Sequence, residues 1–282
     1  VIPAFNEEAR IEHTLRTLLA DARPGEFEVV VVANGCSDAT AGAARSVPGV
    51  SVVETPVGSK THALNLGDHV VTAFPRVYLD ADVSLDTRDL RRLVATLTTT
   101  RDLVASPMLL PDLSGVSRWV QAFYRVWREL PYFETQIGGG VYGVSRSGRS
   151  RWREFPDITA DDAFVRLHFG PEERVVVREC AFTIRPPRDL ASLVRIKTRS
   201  RRGNLELARR FPVLRREDAP RNRRFLLGLM GSPRAWPDLG VYLWVCTRTV
   251  VSAYLKHLTN RHGQWERDES SRGCAPLEGS AA

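Results

Sequence analysis

The chain is poor in sulfur, with four Cys and two Met among 282 residues. Cys36, Cys180, Cys246 and Cys274 lie far apart and form no C-x-x-C pair. That spacing argues against a zinc site or a dense disulfide framework and leaves reduced, cytoplasmic thiols as the expectation. A long uncharged apolar run is also lacking. The stretch Leu239 to Leu255 is broken by Arg248, well short of the ~18 residues a span requires. A central arginine costs roughly 2.5 to 3.5 kcal/mol on insertion scales, so a helix docked on the domain or lying in a membrane interface is expected. No signal peptide is visible, no internal repeat occurs, and no glycine-rich loop has P-loop spacing. The chain opens at Val1 inside a strand-like pattern, so a preceding N-terminal piece is expected. With 43% hydrophobic and 26% charged residues, the composition excludes disorder, collagen and a polytopic membrane protein.

What the chain does have is concentrated positive charge. Residues 185 to 224 hold fourteen Lys or Arg against four Asp or Glu, a balance of +10 in a chain of net +7, so the remainder is at −3. Such a block attracts phosphate: a nucleotide, a nucleic acid or an anionic membrane surface. Nucleic acid is the least favoured, because no RNA-binding or zinc-finger signature is present and few aromatics interleave the arginines.

The first half alternates β-rich runs with helical patterns. Ile11, Leu15, Leu18 and Leu19 put an apolar face on an early helix. Val29 to Val32 is a continuous β-branched run of the kind buried on both sides in a parallel sheet. The cadence repeats with Val50 to Val53, a helix from Lys60 to Val71, Val77 to Leu79, and a helix from Thr87 to Thr98. Alternation of this kind predicts an α/β fold with a mostly parallel sheet flanked by helices, and ligands at the carboxyl ends of its strands. A helix from Ser117 to Leu130, the run Gly138-Gly139-Gly140, a strand from Val141 to Val144 and the pair Asp161-Asp162 follow. The tail from Arg267, rich in small and charged residues, is expected to be disordered.

Asp80-Ala81-Asp82 follows the apolar run Val77-Tyr78-Leu79. Alternating carboxylates at a strand end suit a hard ion such as Mg²⁺ or Mn²⁺, which shares substrate phosphates. By itself the triplet also fits a solvated loop. Asn6-Glu7-Glu8 and Asp161-Asp162 each open a helix, where acids cap the dipole; adjacent acids also raise at least one pKa, which suits a general base. Gly58-Ser59-Lys60 is a candidate phosphate loop. The three glycines allow either close approach of a substrate or a flexible turn.

In this order the pieces resemble the family 2 glycosyltransferases, which invert the anomeric centre on a GT-A fold (Rossmann-like, nucleotide-diphospho-sugar transferase). The carrying residues are Val1-Ile2-Pro3-Ala4-Phe5-Asn6-Glu7-Glu8, Asn34-Gly35-Cys36-Ser37-Asp38-Ala39-Thr40, Gly58-Ser59-Lys60 with Ala63-Leu64-Asn65, Tyr78 to Asp82, Gly139-Gly140 with Tyr142-Gly143, and Asp161-Asp162. The resemblance implies a domain over residues 1–205, a basic and apolar helical extension over 206–266 and the tail beyond. It implies a UDP- or GDP-sugar donor, a hydroxyl acceptor such as a glycan of the cell envelope or a lipid-linked group, and Mg²⁺ or Mn²⁺ held by Asp80 and Asp82. Pro3, Phe5, Glu7, Asn34, Lys60 and Asp80 would line the nucleotide site, Gly139 and Gly140 the acceptor side, and Asp162 would be the base, with Asp161 in reserve. Relatives acting on lipid-linked acceptors imply a peripheral place at the inner face of the plasma membrane.

Two positions depart from the pattern. Asn34 stands where the family usually has an Asp, and Lys197-Thr198-Arg199-Ser200-Arg201-Arg202-Gly203 replaces a mobile Gln-x-x-Arg-Trp element. Arg199, Arg201 and Arg202 remain able to clamp a diphosphate. Two other readings stay open. A sugar-phosphate nucleotidyltransferase would need a Gly-rich, basic loop where Asn6-Glu7-Glu8 stands; a degenerate transferase domain would serve only as a nucleotide-binding scaffold.

Overall fold

The computed structural model describes residues 1–99, 103–214 and 221–258; Cys274 and the tail expected to be disordered lie outside them. In chain order the elements are β1 Ile2–Ala4, α1 Glu8–Leu19, β2 Val29–Asn34, α2 Thr40–Arg45, β3 Val50–Thr55, α3 Lys60–Val70, β4 Arg76–Leu79, α4 Thr87–Thr99 and β5 Val104–Pro111. There follow α5 Arg118–Trp127, β6 Val141–Val144, α6 Arg146–Arg149, α7 Asp161–Arg166, β7 Arg174–Ile184, α8 Leu190–Arg210, α9 Arg221–Met230 and α10 Trp236–Leu258. They fall into two units. The first comprises residues 1–99, 103–110, 131–184 and 206–214 and the second residues 111–130, 185–205 and 221–258.

In the first unit every residue of β2 is buried, as its β-branched run predicts. Strand β2 lies between β1 and β3 and pairs with both in parallel, with Ile2 opposite Val31 and Asn34 opposite Thr55. A backbone hydrogen bond from Leu79 N to Val1 O (3.1 Å) sets β4 beside β1. Strand β6 then pairs antiparallel with both β4 and β5, and β7 lies beyond β5. The parallel half expected from the sequence is therefore β1 to β3, and the second half of the sheet turns antiparallel at β6.

Because side chains alternate across a strand, β2 feeds two cores. Val29 and Val31 join Ile11, Leu15, Leu90 and Leu93 on one face. Val30 and Val32 join Leu64, Trp152, Phe155 and Phe164 on the other. Covering both faces is what permits a continuous apolar strand. Helix α3 starts where Ser59 Oγ accepts the His62 amide (3.3 Å). It carries Asp68, whose carboxylate accepts from Arg76 Nη1 (2.7 Å), Tyr78 Oη (2.9 Å) and Arg149 Nε (2.9 Å). Two arginines thus neutralise one buried carboxylate, and α3, β4 and α6 are tied together.

The second unit has its own core of Val116, Val120, Phe123, Tyr124, Leu193 and Val245. Phe123 stacks on Tyr242 of α10, with centroids 5.3 Å apart, and Arg125 binds Asp238 through two hydrogen bonds of 2.6 and 2.7 Å. The stretch Leu239 to Leu255 lies within α10. Among the described residues no helix is long and apolar enough to cross a membrane.

Candidate active site at the strand ends

Three loops meet where β1, β2 and β3 end. Gly35 has φ +64°, and a Cβ there would stand 2.7 Å from Gly58 Cα and 3.4 Å from the Phe5 ring. The backbones of two loops and the face of Phe5 therefore form one shelf, of a shape that suits a flat ring. Gly35 N donates to Thr55 O (2.7 Å) and Ser37 N to Asn6 Oδ1 (2.7 Å). Glu7 N donates to Thr40 Oγ1 (2.8 Å), and the Cys36 thiol links Ala4 O and Asn6 N (3.4 and 3.3 Å). Pro3, Glu7 and Asn34, on or next to the strands that lead into these loops, are buried, and Phe5 is half-buried.

The Asp80-Ala81-Asp82 triplet forms a tight turn after β4, closed by Val83 N donating to Asp80 O (3.1 Å). Ala81 and Val83 are buried, and Thr14 Oγ1 of α1 donates to Ala81 O (2.9 Å). Anchoring the alternate residues turns the two carboxylates outward. Asp80 is 35% exposed and Asp82 is exposed.

Lys60 joins the elements. Its Nζ lies 2.7 Å from Asp80 Oδ1 and 3.1 Å from Asp161 Oδ2. Burial works against the ammonium, but Asp161 and Asp80 outweigh it and hold Lys60 well above the usual lysine range. Burial pushes the Asp161 carboxyl up; Lys60 opposes that shift, and Asp162 and Asp80 add to it. Asp162 is held differently. Its Oδ1 accepts from Ala163 N (2.7 Å) and its Oδ2 from Gly139 N (3.2 Å).

The glycine run is the wall against which Asp162 rests. All three glycines have positive φ, and a Cβ on Gly138 would stand 2.6 Å from Asp162 Cβ. Close approach, not looseness, accounts for Gly138. Gly140 O accepts the Asp80 amide (2.8 Å), so the run is fastened to the carboxylate turn as well.

Thus Lys60, Asp80, Asp161, Asp162, Gly139 and Gly140 come together, with Asp82 in the same turn as Asp80. Pro3, Phe5, Glu7 and Asn34 gather around the shelf. Arg199, Arg201 and Arg202 lie on α8 in the second unit, so the stretch that the resemblance places in a mobile loop is helical. Gln136 and Tyr142 are further candidates. Gln136 Oε1 and Tyr142 Oη are buried without a hydrogen-bond partner among the described residues. Burial, reinforced by Asp161, Asp162 and Asp80, pushes the Tyr142 phenol well above its usual range, so it stays a donor. Tyr142 belongs to the family-like Tyr142-Gly143 pair; Gln136 carries no signal in the sequence.

Among the described residues no group of three or more His, Cys, Asp or Glu is placed to hold a metal ion. Two outward carboxylates, one of which already attracts a cation, fit a hard divalent ion that completes its shell with water and phosphate oxygens.

Comparison with known proteins identifies the family and the fold. Residues 1–151, more than half of the chain, match the family model described as Glycosyl transferase family 2. A 4,4'-diaponeurosporenoate glycosyltransferase of Staphylococcus aureus (strain USA300) is 30% identical over 166 residues, 56% of this chain. The chain spans about 42% of the length of the curated relatives it matches. The fold is shared with glucosyl-3-phosphoglycerate synthase from Mycobacterium tuberculosis in complex with Mn²⁺, UDP and glucosyl-3-phosphoglycerate. That structure has a TM-score of 0.55 at 19% identity and covers 74% of this chain and 77% of its own. The same enzyme with Mn²⁺, UDP-glucose and phosphoglyceric acid gives a TM-score of 0.55 at 20% identity, with the same coverage.

Proposed function

The chain belongs to glycosyl transferase family 2, and from that premise we propose that it transfers a sugar from a nucleoside-diphosphate donor to a hydroxyl acceptor with inversion. The observation that carries this reading is Lys60 bridging Asp80 and Asp161 beside Asp162 in its glycine cradle. A cation and a clustered set of carboxylates stand at the strand ends, next to a shelf that suits a nucleobase.

In this reading Phe5, Gly35 and Gly58 hold the base, with Pro3, Glu7 and Asn34 shaping the floor. Asn34 offers both a donor and an acceptor. Lys60 turns toward the diphosphate when the donor enters. Asp80 and Asp82 would hold Mg²⁺ or Mn²⁺, which supplies charge stabilisation at the leaving diphosphate. Asp162 accepts the proton of the acceptor hydroxyl as its oxygen bonds to the anomeric carbon and the bond to the diphosphate breaks. Asp161 stays paired to Lys60 and positions the helix start that aims Asp162. Gly139 and Gly140 let the acceptor approach the backbone.

The complexes of the mycobacterial synthase with UDP make UDP-sugars the first donors to try, followed by GDP-sugars. Released nucleoside diphosphate is measured with Mn²⁺ over a panel of nucleotide sugars, with simple glycosides and phosphorylated hydroxy acids as acceptors. Acceptor-stimulated release from one donor is expected. A folded protein that binds no nucleotide and releases none from any donor would sink the proposal.

A further inference from the structure

Helix α10 carries large apolar side chains on its outward side as well as on its packed side. Leu239, Val245 and Ala253 are buried, at most 5% exposed, and Val245 joins the core of its own unit. On the other side Trp236, Leu243, Trp244, Val251, Tyr254 and Leu255 are 44% to 62% exposed. A surface helix in water turns a polar face outward; this one turns aromatic and aliphatic groups outward over about 30 Å, at ~1.5 Å rise per residue.

The patch continues into α9. Leu227 and Met230 are 56% and 58% exposed, and Trp236 Nε1 donates to Met230 O (2.9 Å), which brings the end of α9 against the start of α10. Exposed arginines flank the patch at 223, 224 and 234. The Arg248 guanidinium lies 6.0 Å from the Trp244 ring, so positive charge also stands within it. Residues 221–258 contain six Lys or Arg, five of them Arg, and a single acid, Asp238, which Arg125 already occupies.

We infer that the α9–α10 face docks in the plane of an anionic lipid bilayer. Trp and Tyr with aliphatic neighbours settle at the boundary between headgroups and acyl chains, and arginines bind lipid phosphates. The helix lies on the membrane and does not cross it, since it is not apolar enough to span and holds Arg248 near its middle. The sign of the charge favours lipid over a second copy of the chain, because a symmetric contact would set these arginines against their own duplicates.

The test is co-sedimentation of the full chain with vesicles of phosphatidylcholine alone or mixed with phosphatidylglycerol, at two salt concentrations. Binding to the mixed vesicles is expected to be at least tenfold stronger than to the neutral ones and to weaken with salt. Substituting Trp244→Asp and Val251→Asp together should reduce it more than tenfold while leaving the thermal midpoint within a few degrees, because both side chains are exposed. If that variant does not fold, Arg223→Glu with Arg224→Glu replaces it, with loss of anionic selectivity as the expected result. Wild-type protein that stays in the supernatant with phosphatidylglycerol overturns the inference, as does undiminished binding by the substituted proteins. A dimer in sedimentation velocity that Trp244→Asp dissociates, without vesicle binding, assigns the face to a second copy instead. None of these measurements uses a nucleotide sugar, so the outcome stands whether or not the transferase reading does.

Discussion

At the scale of single residues, Asp162 is fixed by backbone amides on both of its oxygens, which keep their direction when side chains move. Asp162→Asn keeps the shape and removes the proton acceptor. Turnover is expected to fall about 10² to 10⁴-fold, with nucleotide affinity by calorimetry changed less than threefold. A normal rate in this variant, together with a collapsed rate in Asp161→Asn, would move the base to Asp161. Lys197 presents a separate case in the second unit. Its ammonium sits 4.2 Å from the centre of the Trp127 ring and 5.5 Å from that of Phe123, and burial lowers its pKa to about 8. Ring faces offset part of the lost hydration. The unfolded chain keeps this proton up to the usual value of 10.5, so between about 8 and 10.5 the unfolded state binds more protons than the folded one. Stability contributed by this group therefore rises with pH through that window. Lys197→Met should be more stable than wild type in urea melts at neutral pH, and its stability should gain less as pH is raised to 9.5. An unchanged pH slope would remove Lys197 as the cause.

At the scale of elements, the shelf formed by Phe5, Gly35 and Gly58 depends on two loops that touch through backbone. Gly35→Ala places a methyl 2.7 Å from Gly58 Cα at a residue with φ +64°, where the atoms met are backbone with no flexible end to yield. A loss of about 1 to 3 kcal/mol is expected, read as a lower thermal midpoint, together with weaker nucleoside-diphosphate binding. A fully stable variant with wild-type affinity would show that the shelf tolerates opening. This contact was not readable from the sequence, where Gly35 and Gly58 are only loop glycines 23 positions apart. Strand β2 and helices α1 and α3 were readable, because burial on both faces or on one stripe leaves a local periodic mark. Strand β7 left a weaker mark, since Arg178 and Glu179 interrupt its apolar positions. The Asp68 cluster left none, because Arg149 is 81 residues away and only the fold brings the charges together. Ser117 was readable as a helix start, and it caps α5 by accepting the Val120 amide.

At the scale of the whole molecule, the charge is divided by sequence region: +10 over residues 185–224 and −3 over the rest, which carries Asp80, Asp82, Asp161 and Asp162. Lys60 bridges two of those four carboxylates. The ordered motifs made the family legible because Asn6, Asn34, Lys60 and Asp80 each stand at or just after the end of their own strand, whereas the acceptor was not legible because no comparable run of motifs specifies it. A carboxylate-rich site repels a free diphosphate, and in the proposed reading a divalent ion is held by Asp80 and Asp82. Each should therefore bind weakly alone and strongly together, a positive coupling between two ligands. At a hundredfold excess over its dissociation constant a ligand adds ~2.7 kcal/mol to folding stability, a rise of about 5 to 10 °C for a chain of this size. UDP with Mn²⁺ is expected to raise the thermal midpoint by an amount in that range, with UDP plus EDTA or Mn²⁺ alone giving less than a third of it. Asp82→Asn should abolish the joint shift while leaving the small effect of UDP alone. An equal shift with and without the metal would remove Asp80 and Asp82 from metal binding. Lys60→Met would then decide between the remaining arrangements, because a donor held by the ammonium alone loses all of its shift when that cation is removed.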